Sequence, residues 1–455
     1  MSKRLLALLL AVLMAAMAMT GCAKNETPSG GGDAEGEVIE LDFWIIGNYP
    51  DEKDYYLAKI LEDFNETHDN IHLNITGIGS DHAEMANKWT LAGSNNKLPD
   101  LLEINTGSTL NKLIESGCMG NLYDYLMADD EFVSRFPGGT ECLDQLYFGL
   151  HSVEEEKICY GFPTETEIQG WYFNTEIFEQ NNLELPKTWD DYLNCVKTLK
   201  ANGVLPLVHG CTDNWDTWGY HAWPIKYGLT HDVWMDVVNG KTAVKDTAFP
   251  TVCSRIVELR EAGAYPDNVA SMSNAQAFEI FLSGGAAMYC VGSWKMNDMD
   301  NSEIADKIAF SFGPEFPDQD VDNVATRPYS WSIAAGKKAV ESEERAQACA
   351  EVMKWIVSSE RATIEVEEYG HFPACIVDVE QTNLGPVGKL TADAAADSTY
   401  TSYGQGNSYM PTLAETGSDW GETWNNVVTG LIAGNTSVDD AVQQFQDLAD
   451  AADTE

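Results

Sequence analysis

The sequence predicts an α/β protein built from two domains, and three observations carry that reading. The chain has 455 residues, beyond the length at which one hydrophobic core usually stops growing. Short runs rich in β-branched and aromatic residues alternate with stretches of helical periodicity, the order that a sheet covered by helices requires. An apolar fraction of 44% and 13 tryptophans supply enough surface for packed cores, which argues against wholesale disorder.

The N-terminus reads as an export signal. Lys3 and Arg4 form a positive n-region, residues 5–19 are apolar, and Thr20 and Gly21 provide small residues before Cys22. The apolar run is too short for a comfortable membrane span, and nothing later comes closer. Met19-Thr20-Gly21-Cys22 resembles a bacterial lipobox, which implies removal of residues 1–21 and a diacylglycerol on the Cys22 thiol. Two or more acyl chains give stable anchoring, at about 0.8 kcal/mol per buried methylene. The alternative is a plain secretory signal with an incidental cysteine. Residues 25–37, NETPSGGGDAEGE, are Gly-rich and almost without apolar residues, so 22–37 is expected to be an anchor and flexible tether.

The folded part is expected to begin with a strand at 38–44, ended by Gly47-Asn48. From Asp51 onward Tyr55, Ile60, Leu61 and Phe64 recur at helical intervals. A strand follows at 71–76, a helix at 83–92, a strand at 101–104 and a helix at 108–115, which together make a doubly wound half. Residues 123–159 hold short helical patches broken by Pro137-Gly138-Gly139, and no function is read there. Residues 170–174 form a strand whose terminal Asn174-Thr175 opens a helix. Thr188 is placed to cap the next helix, with Asp190 and Asp191 in its first turn facing the positive end of the helix dipole. Tyr192, Cys195, Val196 and Leu199 follow at helical spacing, Gly203 ends the helix, and 204–208 is again a strand, as in a parallel sheet.

Trp215 and Trp218 would share a face if their segment is helical. Helical sequence continues through 253–261. Phe278, Phe281 and Leu282 belong to a short amphipathic segment, Gly284-Gly285 breaks it, and 286–291 is a buried strand. Gly292-Ser293-Trp294 stands at its carboxyl end, where Ser293 is placed to cap a helix. The run 331–336 precedes a helix with Ala346, Ala350, Met353 and Ile356 on one face. Two helical stretches, from Trp420 through Leu431 and then to about Leu448, close the chain.

A formal charge of −45 repels nucleic acid and anionic membrane surfaces, while leaving polyamines and cationic peptides open. Nine cysteines follow Cys22, an odd number, so at least one lies outside any intrachain disulfide. No Cys-x-x-Cys occurs, so neither a zinc ribbon nor a dithiol redox motif is present locally. Cys290 and Cys349 read as small core residues.

Three groups of residues together resemble a known family. Tyr160-x-x-Pro163, then Trp171-Tyr172-Phe173-Asn174, then Pro186-Lys187-Thr188-Trp189-Asp190-Asp191 are similar in order and spacing to the family 1 extracellular solute-binding proteins of carbohydrate ABC transporters. The stretch from Phe278 to Trp294, the run 331–336 followed by Tyr369-Gly370-His371-Phe372-Pro373-Ala374, and the run from Trp420 to Ser437 extend the resemblance over about 38–450. It implies the type II periplasmic-binding-protein-like fold, with discontinuous domains at 38–160 plus 330–377 and at 161–329 plus 378–455. The chain would cross near residues 160, 328 and 377, and a hinge would close a ligand cleft between the domains.

Sugars present apolar faces ringed by hydroxyls, so a site needs aromatic planes and fixed polar groups, which open α/β sheets collect at the carboxyl ends of their strands. Trp294 fits that position, and the family commonly lines its sugar site there. Trp44 ends the first strand, with Asn48 in the loop after it. Glu165 lies where the family often places a polar contact; its alternative is a solvated loop acid. Tyr329 and Trp331 sit by the second crossing. Trp215 and Trp218, beside Asp213, are either a polar-aromatic cluster or core. Asp81 follows the second strand, and Asp419 and Trp420 are candidates to reach the cleft from the last segment. Trp171, Trp189, Trp234 and Trp355 are assigned to the core.

The expectation is therefore a monomeric, lipid-anchored receptor on the outer face of a bacterial cell membrane, or in a periplasm. It would bind a sugar or oligosaccharide, deliver it to an ABC-transporter permease, and need no cofactor or metal. The same fold binding a polyamine or peptide is the first alternative. The second is a carbohydrate-active enzyme, which would require paired carboxylates. Glu154-Glu155-Glu156 and Asp190-Asp191 read instead as a solvated face and a helix start. No Gly-x-Ser-x-Gly, His-Glu-x-x-His or phosphate-loop motif is present, so the reading is not an enzyme.

Overall fold

The computed structural model describes residues 38–51, 55–79, 82–106, 108–147, 151–326, 329, 331–376, 383–397, 401–403, 409–411 and 413–452. The proposed signal, Cys22 and the tether, together with Asp81, lie outside the described residues.

Two sheets organise the chain. In the first, β1 (Ile39–Ile45) pairs in parallel with β2 (Ile71–Gly77) and β3 (Leu101–Asn105). Leu41, Phe43 and Ile45 alternate inward along β1, the period-2 pattern of a half-buried strand. Between β1 and β2, α1 (Tyr56–Thr67) lays Leu57, Ile60, Leu61 and Phe64 on the sheet; α2 (His82–Ser94) and α3 (Ser108–Glu115) complete the expected alternation. The sheet is finished by β4 (Gly161–Pro163) and by a strand from much later in the chain, β10 (Trp331–Ala335), in the order β2-β1-β3-β10-β4. β10 runs antiparallel to both neighbours, with Trp331 opposite Asn105 and Ala334 opposite Gly161. Gly161 is required there, because a Cβ would sit 2.3 Å from the Ile333 carbonyl oxygen.

The second sheet has the order β11-β9-β5-β7-β6, with β8 also on β5. Its strands are β5 (Gln169–Asn174), β6 (Leu205–Val208), β7 (Ala286–Gly292), β8 (Ile308–Ser311), β9 (Val324–Thr326) and β11 (Thr401–Tyr403). β6 and β7 are parallel, but β5 is antiparallel to β7, so the wholly parallel reading of this region is corrected. The reason is where the chain enters. It arrives from the first sheet at the edge where β7 ends, placing Gln169 beside Gly292, and can only run back along it. Successive residues of β5 and β7 feed two cores: Trp171, Phe173, Met288 and Cys290 on one face, Tyr172, Tyr289 and Val291 on the other.

The first core is mostly aliphatic, while the second holds twice as many aromatic side chains, 16 against 8. In the second, α4 (Trp189–Ala201) starts at a capping box in which Thr188 and Asp191 each satisfy the other's backbone N–H. Phe249 of α5 (Phe249–Glu261), Trp420 and Trp424 of the helix Trp420–Ala433, and Phe445 of the last helix, Val438–Ala451, meet around Trp234. Residues 39–455 group as one unit. The nine cysteines from Cys118 to Cys375 form no disulfide, and all but Cys211 are buried. Among the described residues no helix is long and apolar enough to cross a membrane.

Candidate ligand-binding site

Three connections join the sheets: 164–168 between β4 and β5, the link from β9 to β10, of which Tyr329 is described, and the chain beyond Ile356. Their described residues meet. The Thr164 N–H donates to the Trp331 carbonyl at 3.0 Å, the Ala374 N–H to the Thr164 carbonyl at 2.8 Å, and the Thr166 N–H to the Phe372 carbonyl at 2.8 Å. Glu165 and Thr166 form bridges to Pro373 and Tyr329. At the far side, the Ser293 N–H donates to the Ile168 carbonyl at 2.9 Å and the Ile168 N–H donates to Ser293 Oγ at 3.1 Å. Ser293 therefore pins a crossing and does not cap a helix; the 3-10 turn Ser293–Lys295 starts from Gly292 without a side-chain cap.

Glu165, Tyr329 and Trp331 are thus brought together. Glu165 is 5% exposed and its Oε2 lies 2.7 Å from His371 Nδ1, which overturns the solvated-loop alternative. The Tyr329 carbonyl accepts from the Thr106 hydroxyl and its ring oxygen accepts from the Cys142 thiol. Burial pushes that phenol far above its ordinary range, so it stays protonated. Trp331 and Trp44 are both partly exposed at the same sheet edge and pack against the first core. The Asn48 carbonyl accepts from the Asp51 N–H in the turn after β1.

Trp294 stands at the equivalent edge of the second sheet, partly exposed and packed on the third core. Its ring folds over Gly292, where a Cβ would lie 1.9 Å from the indole, so glycine is needed. Trp215 and Trp218 belong to a 3-10 helix, Asn214–Tyr220, and their side chains lie outside the described residues. That helix is fixed to Trp420–Ala433 by bonds from Asn214 to Glu422 and from Thr217 to Asn425. Asp419 is an exposed N-cap, accepting from the Glu422 N–H. The placement of Trp420 at the cleft is corrected: it is 1% exposed, wedged between Trp234 and Phe445, and its indole donates to Thr416.

Sequence reasoning missed the acids beneath this edge. Glu103 is fully buried in β3, accepting from the Ile46 N–H at 2.8 Å and from the Tyr55 hydroxyl. A carboxylate inside the apolar run Leu-Leu-Glu-Ile was the available signal. Glu365 is 4% exposed, and its Oε1 has no hydrogen-bond partner among the described residues. Among those residues no group of His, Cys, Asp and Glu is arranged to hold a metal ion. The exposed chemistry of the edges is aromatic planes beside backbone and amide groups, suited to holding a neutral solute.

Residues 49–361 match the family of bacterial extracellular solute-binding proteins. This chain belongs to that family. Among relatives of this solute-binding protein, the multiple sugar-binding protein of Streptococcus mutans is 22% identical over 366 residues, covering 79% of this chain and 81% of its own length. A chitin oligosaccharide binding protein superposes with a TM-score of 0.76 at 18% identity, over 92% of this chain and 99% of its own. A protein from work on xylan utilization by the thermophilic bacterium Caldanaerobius polysaccharolyticus superposes with a TM-score of 0.73 at 20% identity, over 90% and 99%. Fold likeness of this extent gives the solute-binding protein the type II periplasmic architecture. Two of these relatives are named as binding proteins, and the third comes from work on xylan utilization.

Proposed function

We propose that this chain is a lipid-anchored receptor outside the cell membrane that captures a sugar or oligosaccharide between its two sheets and hands it to an ABC-transporter permease. The observation that carries the reading is the pairing of partly exposed tryptophans at the strand edges next to the crossings: Trp44 and Trp331 on one sheet, Trp294 on the other. Indole planes stack on the apolar faces of sugar rings. The sugars named for its relatives support that class. In this reading the domains are 38–160 with 330–377, and 161–329 with 378–455, except that β4 belongs with the first because it pairs with β10. Solute selects the closed state through contacts made from both domains. Cys22 carries the lipid, and the receptor acts as a monomer.

Tryptophan fluorescence titration against neutral di- to tetrasaccharides and spermidine tests the reading. Saturable change with a saccharide is expected; a response to spermidine alone overturns it. Trp294→Ala should weaken saccharide binding at least tenfold while the thermal midpoint stays within a few degrees. Unchanged affinity would remove Trp294 from the site.

A further inference from the structure

The crossings rest on a group of titratable side chains, of which Glu165 alone is also a candidate ligand contact. Glu103 comes from β3, Glu165 from the first crossing and Glu365 from the turn Glu365–Tyr369, and each is 5% exposed or less. That turn is a π-type turn, a form often found at functional positions. The His371 ring is bonded to Glu165 and also feels the charges of Glu167, from the same crossing, and of Glu103. Tyr55 and Tyr56 close the group from the start of α1, the Tyr56 ring 4.9 Å from that of His371. Behind Glu365 lies the Cys375 thiol, and Lys59 stacks on Tyr369 at the outer rim. Three carboxylates against one imidazolium, shielded from water, is an arrangement that a folded chain holds only by keeping protons.

We propose that Glu103 and Glu365, beside the Glu165–His371 bond, form a proton-binding site that clasps the crossings, packed while Glu103 and Glu365 hold protons and loosened when both are ionised. The clasp is direct: Glu165 and His371 belong to different crossings, and their bond runs beside the Thr166–Phe372 and Ala374–Thr164 backbone bonds. Gly370, next to His371, packs on Asn297 of the short helix Met296–Asp300, so the same turn touches the other half of the molecule. The inference does not depend on which solute is bound.

The titration direction agrees. Burial first, then the charge of Glu165, raises Glu103 to about 8 against the opposing bonds from Tyr55 and Ile46. Burial and then the charges of Glu165 and Glu103 raise Glu365 well above the ordinary carboxylate range. His371 is raised as well: burial disfavours its charge, but the bond and charge of Glu165 prevail. Groups raised on folding stabilise below their unfolded pKa and lose that effect as pH climbs through the folded value. For Glu103 the loss runs from about 4.5 to about 8.

The test uses the full mature chain without solute. Amide exchange protection factors, corrected for intrinsic rate, of Thr164, Thr166 and Ala374, whose N–H groups make the bonds between the crossings, are measured from pH 5.5 to 9. Wild type should lose at least tenfold protection across that range, and Glu365→Gln less than twofold. Parallel profiles overturn the proposal. If the variant does not fold, carboxyl-carbon NMR of the wild type decides: a glutamate titrating near or above pH 7 supports the site, and all glutamates titrating below pH 6 overturn it.

Discussion

Asp100, just before β3, and Glu103, at the middle of that strand, stand three residues apart, both fully buried, and the chain treats them in opposite ways. Asp100 accepts from the Asp42 N–H at 2.8 Å, from Arg345 Nη2 at 2.7 Å, and lies 3.1 Å from Lys338 Nζ. Burial would raise its carboxyl, but the bonds from Arg345, Asp42 and Lys338 prevail and hold it below the ordinary range. Glu103 meets a phenol, a backbone N–H and two further acids, and stays protonated near neutrality. The amino end of β3 is thus a fixed ion cluster, whereas Glu103, two residues short of the carboxyl end, is a group whose charge can change. A buried acid reports function by its partners, not by its burial alone.

Breaking the fixed end should cost most. Arg345→Ala leaves the Asp100 carboxylate buried with Lys338 alone, and loss of one partner from a buried pair costs about 3–5 kcal/mol. Urea unfolding at pH 7 should show a loss of that size; a loss below about 1 kcal/mol would mean Lys338 alone suffices. The pH course adds the sign. Asp100 is depressed on folding, so its contribution is present above its ordinary value of 3.8 and lost as pH falls below it.

Neutralising Glu103 should move the opposite way. Glu103→Gln replaces a group that ionises in the unfolded chain above about 4.5 but in the fold only near 8, so the variant should gain up to about 4 kcal/mol over wild type by pH 9, most of it between pH 5 and 8, and differ by less than about 1 kcal/mol at pH 5. Stability curves from pH 5 to 9 measure both. A variant weaker than wild type at every pH would show that Glu103 serves as a packing group only.

Local physics made most elements legible. The capping pair Thr188 and Asp191, the apolar face of α1 and the short buried strand β3 depend on neighbours within a few positions, and the structure has them where the pattern put them. What sequence could not carry was partnership at a distance. Glu165 read equally well as a solvated loop acid because its partner His371 is 206 positions away. The direction of β5 depends on which edge the chain enters, which no periodicity encodes. Trp420 and Trp424 sit one helical turn apart, the spacing that sends aromatics to a core, and both are buried there.

A control separates local stability from the charge effects at Asp100 and Glu103. The helix Asn274–Leu282 starts at a capping box with no ionisable member: the Gln276 N–H donates to Ser273 Oγ at 3.2 Å, and the Ser273 N–H donates to Gln276 Oε1 at 3.0 Å. Ser273→Ala removes one of these bonds and should cost about 1 kcal/mol. Because neither partner titrates between pH 4 and 9, the cost should be the same at both limits. Arg345→Ala should instead lose its effect toward acid, and Glu103→Gln should show its effect only toward base. If the Ser273→Ala cost itself varied with pH by more than about 0.5 kcal/mol, the pH courses of the other two variants would reflect a shift in the whole chain's stability and not the chemistry of either acid.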